Sequence, residues 1–225
     1  MSAMSEAPSE RSQVRRHPER GIYDAATINL ILDQALICHV AIADPDGGAP
    51  HLIPTIHARI GDTLYLHGSN ASRTLRGLRE GVEITVAATL IDGLVLARSA
   101  FKSSMNYRSV VVFGAARLVT DRTELLDVSR ALADHVAPGR GSDARPPTDD
   151  ELRQTTFMAV SLSESSAKVR TGPPVDDDAE LGLPIWAGVL PLRLTAGEPE
   201  PDPALSASIQ PPAYVTEYRR PGDTA

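Results

Sequence analysis

The chain lacks the residues and segments that mark disulfide-linked, thiolate-metal and membrane proteins. Among its 225 residues it has one cysteine, Cys38, which excludes an intrachain disulfide and any metal site built from several thiolates. No apolar run approaches the roughly 20 residues that a membrane-spanning helix needs. The polar N-terminal stretch has no hydrophobic segment typical of a secretory signal. We therefore expect a cytoplasmic protein that does not bind membranes.

Aromatic residues and positive charge are also scarce. Aromatics make up only 4% of the chain, so the core should consist of Val, Ile, Leu and Ala. The formal net charge is −7, and residues 176–225, with three basic and nine acidic residues, carry most of it. Nucleic-acid binding needs a clustered basic face, so we expect no nucleic-acid partner.

Several sequence motifs that would indicate a specific chemistry are missing as well. Neither the P-loop nor the dinucleotide fingerprint occurs, and no G-x-S-x-G nucleophile elbow indicates a hydrolase. His51 and His57 stand six residues apart in a predicted strand, which separates them by about 20 Å. They cannot share a metal ion unless Pro54 bends the strand sharply, so we predict no metal site.

What is present alternates between strand and helix patterns. Asp24 is a predicted N-cap for a helix with Ile28, Ile31, Leu32 and Ala35 on one face, and a second helix is predicted from Asp121 or Thr123 to about Val136. The predicted strands are 36–43, 51–60, 64–67, 107–119, 156–162 and 167–170, with a hairpin formed by 83–90 and 93–99 around an Asp92-Gly93 turn. This pattern predicts a mainly β protein with flanking helices. Six or so antiparallel strands would form a small closed or partly closed barrel, because closure removes exposed edges.

Composition divides the chain into three parts. Residues 1–20 are polar and are predicted to form a flexible N-terminal arm. Residues 21–194 hold the predicted strands and helices and form one domain. Residues 195–225 are acidic and rich in Pro, without sustained periodicity, so we predict an extended or disordered tail.

The stretch 62–76 is the strongest candidate for a binding site. A strand ends in Gly68, Ser69 and Asn70, and a short basic helix is predicted to follow. Free backbone N–H groups at a helix N-terminus favour an anion. The hydroxyls of Ser69 and Ser72 and the guanidinium of Arg73 suit phosphate oxygens, so we predict that this turn binds a cofactor phosphate. The alternative is that the serines are ordinary N-caps and the arginines form a solvated face.

Seven segments carry a resemblance to a known family: 17–24, 53–55, 65–73, 92–98, 105–109, 166–173 and 186–189. The most specific are His67-Gly-Ser-Asn-Ala-Ser-Arg73 and Asn106-Tyr-Arg-Ser109. With these segments the chain resembles the FMN-binding split-barrel proteins related to pyridoxamine 5′-phosphate oxidase, and most of all their nitroimidazole-reductase-like branch. No match is found for the substrate-phosphate residues of the vitamin B6 oxidases themselves.

The resemblance implies an FMN-binding split barrel that binds FMN at the interface of a homodimer. It implies that Ile53, Pro54 and Thr55 run along the flavin ring, and it places the phosphate at Ser69, Ser72 and Arg73. The full set of predicted cofactor-binding residues is Ile53, Pro54, Thr55, His67, Gly68, Ser69, Ser72, Arg73, Ser104, Asn106, Tyr107, Lys168 and Trp186. Lys168 is expected to reach across the dimer, and Trp186 to stack near the flavin or to serve as a plain core anchor.

His67 is the one predicted catalytic residue. Beside a phosphate-binding turn it can donate to the phosphate or relay a proton; the alternative is a packed histidine that bonds a carbonyl. The function we predict is an FMN-dependent oxidoreductase that takes electrons from NAD(P)H and reduces a small planar acceptor. The alternatives are a flavin-binding carrier or sensor without turnover, and a split barrel for another planar cofactor such as haem or the deazaflavin F420.

Overall fold

The protein is mainly β, as the sequence predicts. The computed structural model describes residues 6–44, 47–69 and 81–221, and these contain ten strands that pair only in the antiparallel sense. The strands are β1 (Gly21–Ile22), β2 (Cys38–Ile42), β3 (His51–Thr55), β4 (His57–Ile60), β5 (Thr63–Ser69), β6 (Val82–Leu96), β7 (Ser104–Leu118), β8 (Thr155–Ser161), β9 (Ser165–Arg170) and β10 (Gly188–Pro191).

The sheet curls into a half-barrel with the order β3-β2-β6-β7-β8-β5-β4. In addition, β9 pairs with β1 and β7, and β10 pairs with β6. Although β3 and β4 are consecutive in the chain, they pair at opposite ends of this order, β3 with β2 and β4 with β5. The two edges of this order are therefore β3 and β4, and the barrel is split between them, beside residues 67–69 of β5, which lie beyond the pairing with β4.

Side-chain caps begin the longer helices where the sequence predicts them. The described helices are α1 (Ala25–Gln34), α2 (Arg122–Val136), α3 (Arg140–Asp143), α4 (Asp149–Gln154) and α5 (Ala213–Thr216). Asp24 accepts a hydrogen bond from the Thr27 N–H, and Asp121 caps α2 in the same way. Thr148 and Glu151 form a capping box at α4.

Two apolar clusters lie on opposite sides of the sheet. The larger fills the inside of the barrel with side chains from β2, β5, β6, β7 and β8, and α1 adds Ile28, Ile31 and Leu32. The smaller lies outside, where Val128 and Leu132 of α2 pack against Tyr65 and Phe157. Cys38 is fully buried, and the loss of hydration raises the pKa of its thiol to about 12, as expected for an inert core cysteine.

The predicted hairpin at Asp92-Gly93 is wrong. β6 continues through both residues, with only a register shift between Ile91 and Gly93 opposite β7. Gly93 lies against β10, where a Cβ atom would come within 3.0 Å of the Leu190 carbonyl oxygen. The glycine is needed for this close approach and not for a turn, and the true reversal lies between β6 and β7.

The predicted strand 51–60 is interrupted at Ile56, which separates β3 from β4. Pro54 is tolerated because β3 pairs on one side only, with β2, and needs no second ladder of hydrogen bonds. The connection between β6 and β7 is short, since a 3-10 turn spans Ala100–Lys102 and β7 begins at Ser104. β10 was not predicted from the sequence.

The arm and the tail both contact the domain. Ser12 is buried, and Arg11 pairs with Glu83 at 2.8 Å and with Glu164. The tail follows an extended path with one short helix, α5, from which the Tyr214 hydroxyl donates to Asp143 at 2.5 Å.

Candidate functional site

A cavity of about 190 Å³ lies at the split of the barrel, between β3 and the end of β5. One wall comes from β2 and β3 and the other from β5 and β8. The lining residues are Val40, Ile42, Ile53, Thr55, Leu66, His67, Gly68, Ser69 and Met158. The walls are therefore mostly aliphatic, and the polar groups are concentrated at one end.

Strand register explains why these residues meet. Ile53 lies opposite Val40 on β2, and Leu66 lies opposite Met158 on β8, so both pairs point into the barrel. Gly68 follows Leu66 at the strand period of two and adds no side chain to the wall. The missing side chain leaves space where the barrel opens.

The cavity brings together five of the predicted cofactor-binding residues: Ile53, Thr55, His67, Gly68 and Ser69. They come from two strands that do not pair with each other, so strand pairing alone did not bring them together. Pro54 lies on the opposite face of β3, where it pairs with the exposed His39. The predicted phosphate residues Ser72 and Arg73 lie outside the described residues, so their placement stays a prediction.

His67 is half-buried and faces the outer cluster. Its ring stacks beside Phe157 with the centroids 6.4 Å apart, on the face that Tyr65 shares, as the period of two predicts. Burial lowers the pKa of His67, so its imidazole is neutral near pH 7. Within the described part of the chain its buried Nδ1 atom has no hydrogen-bond partner.

Three predicted residues at the start of β7 lie away from this cavity within one chain. Val40, which lines the cavity, is level with Val112 of β7, because both pair with Val86 of β6. Asn106 is six residues before Val112, which places it about 20 Å further along the strand. Its amide donates to the Gly172 carbonyl at 3.2 Å and accepts from Arg170. Ser104 and Tyr107 belong to the same extension of the sheet, so within one chain none of the three lines this cavity.

Lys168 and Trp186 also lie outside the cavity lining. The Lys168 ammonium donates to the Arg16 carbonyl at 2.8 Å, so in this chain it holds the N-terminal arm. Trp186 is 67% exposed, and its ring packs against Gly188 at the start of β10.

Two cationic residues in the connection between β6 and β7 are paired with carboxylates. Arg98 forms an ion pair with Asp176 at 2.8 Å, and Lys102 with Asp177 at 2.6 Å. The Asp177 contact also raises the pKa of Lys102. These pairs favour a structural role over binding of a phosphate or a reduced flavin.

The chain matches the sequence profile described as pyridoxamine 5′-phosphate oxidase over residues 24–169. It is 38% identical to the flavocytochrome Anf3 from Azotobacter vinelandii, covering 96% of this chain and 100% of that one, with a TM-score of 0.88. The chain belongs to the pyridoxamine 5′-phosphate oxidase-related family. This membership confirms the resemblance and the split-barrel fold predicted from the sequence.

Other members of this family are similar over most of their length. The FAD and haem binding protein from Mycobacterium smegmatis is 33% identical, covering 89% of this chain and 98% of that one, with a TM-score of 0.83. A candidate 5-nitroimidazole antibiotic resistance protein from Bacteroides thetaiotaomicron is 25% identical, covering 66% and 86%, with a TM-score of 0.55. No curated protein matches the chain.

Sequence reasoning missed the apolar walls of the site, Val40, Ile42, Leu66 and Met158. The alternation of buried and exposed residues along β2 marks Val40 and Ile42 as inward-facing, but not as neighbours of β5. In the described segments no three His, Cys, Asp or Glu side chains cluster as a metal site would need. None of the helices described is both long enough and apolar enough to cross a bilayer.

Proposed function

We propose that this protein binds a flavin at the split of its barrel and uses it as a redox enzyme. The observation that carries the proposal is the meeting of Ile53, Thr55, His67, Gly68 and Ser69 around one cavity. The family resemblance assigns Ile53, Thr55 and Ser69 of this set to the flavin, and His67 and Gly68 are the predicted residues between them. The names of two relatives, a flavocytochrome and an FAD and haem binding protein, support the same cofactor class.

The cavity has room for only part of a flavin, since pockets for ligands of that size run to roughly 300–1,000 Å³. The remainder must extend beyond Ser69, toward the predicted phosphate residues Ser72 and Arg73, and out of the split. A second subunit would cover it there. We therefore propose a homodimer, in which Ser104, Asn106 and Tyr107 approach the partner's flavin.

When bound, the flavin supplies the hydride or electron transfer. The chain's own contribution is its environment: Val40, Ile53 and Met158 exclude water from one side. The Thr55 hydroxyl donates to the Ile56 carbonyl at 3.3 Å, a weak bond that it can exchange for a ligand. The neutral imidazole of His67 can accept a proton or donate one at a ring nitrogen.

FMN is the form of the cofactor that the resemblance predicts, whereas the name of one relative specifies FAD. The mass of the flavin released on denaturing the purified protein separates the two. NAD(P)H is the proposed reductant and a small planar compound the acceptor. Anaerobic oxidation of NADPH with a panel of nitroaromatics and quinones then separates an enzyme from a flavin carrier or sensor.

Arg73→Ala tests the proposed phosphate contact. We expect flavin binding to weaken by roughly 1.5–3 kcal/mol, the range for a hydrogen bond to a charged group. The matched control is Arg122→Ala, an exposed arginine paired with Asp149 on α4. Equal flavin dissociation constants for the wild type and Arg73→Ala would refute the phosphate assignment, and a monomer that retains its flavin would refute the shared interface.

Haem binding is a second candidate, favoured by the state of His67. A neutral imidazole with a free ring nitrogen in an apolar setting is the form that ligates haem iron, and the Nδ1 atom of His67 meets this description within the described residues. The two relatives that are 38% and 33% identical to this chain have names that include cytochrome and haem, respectively. In this proposal His67 would hold the haem iron through a ring nitrogen.

An absorbance spectrum of protein produced with added haem tests this candidate. We expect a Soret band that is lost in His67→Ala and kept in His39→Ala, since His39 is exposed on the outer face of β2. A Soret band that persists in His67→Ala would exclude this ligand. The absence of the band from the wild type would exclude haem binding itself.

A further inference from the structure

A second and larger cleft, of about 1,070 Å³, lies on another part of the molecule. It is bounded by the end of α1, by residues 89–92 of β6, and by the chain after β10. None of the predicted flavin-binding residues that the structure describes lines it. The flavin proposal therefore leaves this cleft without a role.

Arginine is concentrated at the cleft. Residues 176–225 contain only three basic residues among nine acidic ones, and these three, Arg193, Arg219 and Arg220, all line the cleft. Arg108 of β7 is a fourth. The only carboxylate among the described lining residues is Asp92, which Arg108 holds with two bonds of 2.9 and 2.7 Å.

The three arginines of the tail keep most of their hydrogen-bonding capacity free. In the described part of the chain, Arg193 and Arg219 have no ion-pair or hydrogen-bond partner. Arg220 donates from Nη2 to the Gln34 carbonyl, while its buried Nε atom has no partner there. None of the described acidic residues of the same segment lines the cleft, and Asp92 offsets only one of the four guanidinium charges, so the cleft keeps a net positive charge.

The remaining walls are apolar. They are formed by Leu36, Ile37, Leu90, Ile91, Leu192 and Leu194. Guanidinium groups match phosphate oxygens in pairs, and aliphatic walls suit a flat heterocycle. The combination of size, charge and apolar surface fits a nucleotide better than a simple anion.

We propose that this cleft is a second binding site, separate from the flavin, for a nucleotide that carries a diphosphate. Arg193 and Arg219 bind the phosphates, and the base packs against the aliphatic wall. Free nucleoside diphosphates and nicotinamide dinucleotides share this chemistry. Use of a nicotinamide dinucleotide here would also rest on the proposed redox function, whereas binding of a free nucleotide would not.

Isothermal titration of the full-length flavin-loaded protein with ADP and with NADPH tests the site. We expect ADP, or both ligands, to bind. The affinity should fall with added salt, pyrophosphate should displace the nucleotide, and adenosine, which has no phosphate, should not bind. The variant Arg193→Ala/Arg219→Ala should lower the affinity by about tenfold or more for each guanidinium removed from the phosphates. ADP binding without NADPH binding identifies a free nucleotide as the source.

The matched control is Arg122→Ala/Arg145→Ala, which removes two exposed arginines whose partners are Asp149 and Glu151. Wild-type affinity is expected in this control, and circular dichroism verifies that both variants are folded. Absence of ADP and NADPH binding at millimolar concentration overturns the proposal, as does unchanged affinity in the first variant or an equal loss in the control. Loss of flavin from Arg193→Ala/Arg219→Ala overturns the separation of the two sites.

Discussion

At the scale of single residues, a buried histidine, His57, and a partly buried one, His135, connect the end of α1 to its surroundings. His57 donates from Nε2 to the Leu32 carbonyl at 2.8 Å, and His135 donates to the Ala35 carbonyl at 2.9 Å. Their rings lie 4.4 Å apart. Burial, followed by the charge of its neighbour His135, lowers the pKa of His57 to about 4. Both rings are thus neutral structural groups.

The titration of His57 predicts a pH-dependent stability. Between pH 6.5 and 4 the unfolded state binds this proton and the folded state does not, so stability falls as the pH drops through that window. The difference in pKa corresponds to about 3 kcal/mol. Urea denaturation at pH 7 and pH 4 should show this loss reduced in His57→Gln but retained in the exposed control His39→Gln. The same pH slope in all three proteins would contradict the assignment.

Gly114 of β7 is predicted to be irreplaceable by alanine. A Cβ atom there would lie 2.8 Å from the Cγ2 atom of Val160 in the barrel interior, so β7 and β8 approach too closely here for a side chain. We expect Gly114→Ala to lower the free energy of unfolding by roughly 1–3 kcal/mol, as overpacking does. Gly182→Ala is the control, because no atom lies within 4 Å of its Cβ position. Equal urea midpoints for the two variants would refute the packing argument.

At the scale of elements, the C-terminus of α1 is satisfied by side chains from distant segments. Its last carbonyls lack partners within the helix, and the residue that follows is Ala35 and not a glycine. His57 of β4 bonds the Leu32 carbonyl, and Arg220 of the tail bonds that of Gln34. The end of this helix therefore depends on tertiary contacts, unlike its Asp24-capped start.

The start of α2 depends on a local contact. Asp121 accepts from the Glu124 N–H at 2.9 Å, and α2 forms one side of the outer apolar cluster. We expect Asp121→Ala to destabilise the protein by about 1 kcal/mol, measured by urea denaturation. Asp127→Ala, in the exposed middle of the same helix, removes the same charge without a cap and should be neutral or slightly stabilising. Equal destabilisation by both would indicate a charge effect instead of capping.

At the scale of the whole molecule, the tail is an addition to a domain with its own two cores. Its residues are largely exposed, and its contacts are polar ones such as those of Tyr214 and Arg220. We predict that a chain ending at Leu194 folds with unchanged flavin content and loses at most a few kcal/mol, since each such hydrogen bond contributes about 0.5–1.5 kcal/mol.

Thermal denaturation and flavin absorbance of the shortened chain measure these two quantities. Loss of the flavin on removal of residues 195–225 would show that the tail belongs to the flavin site. Retention of the flavin together with loss of ADP binding would agree with the two separate sites proposed above.

The sequence by itself determined the family, the split-barrel class, the helix start at Asp24 and the second helix start to within a few residues of Asp121. Caps and alternating burial are local signals, because they act between residues a few positions apart. The sequence also predicted as cofactor-binding the five residues that meet at the split, which are Ile53, Thr55, His67, Gly68 and Ser69.

Only the tertiary structure decided that Asp92-Gly93 lies within a strand, because the reason is the approach of β10, almost 100 residues further along the chain. It likewise decided which side chains form the walls of the cavity and that Asn106 lies far from it. Contacts between residues distant in the chain determine these features, and no local pattern in the sequence encodes them.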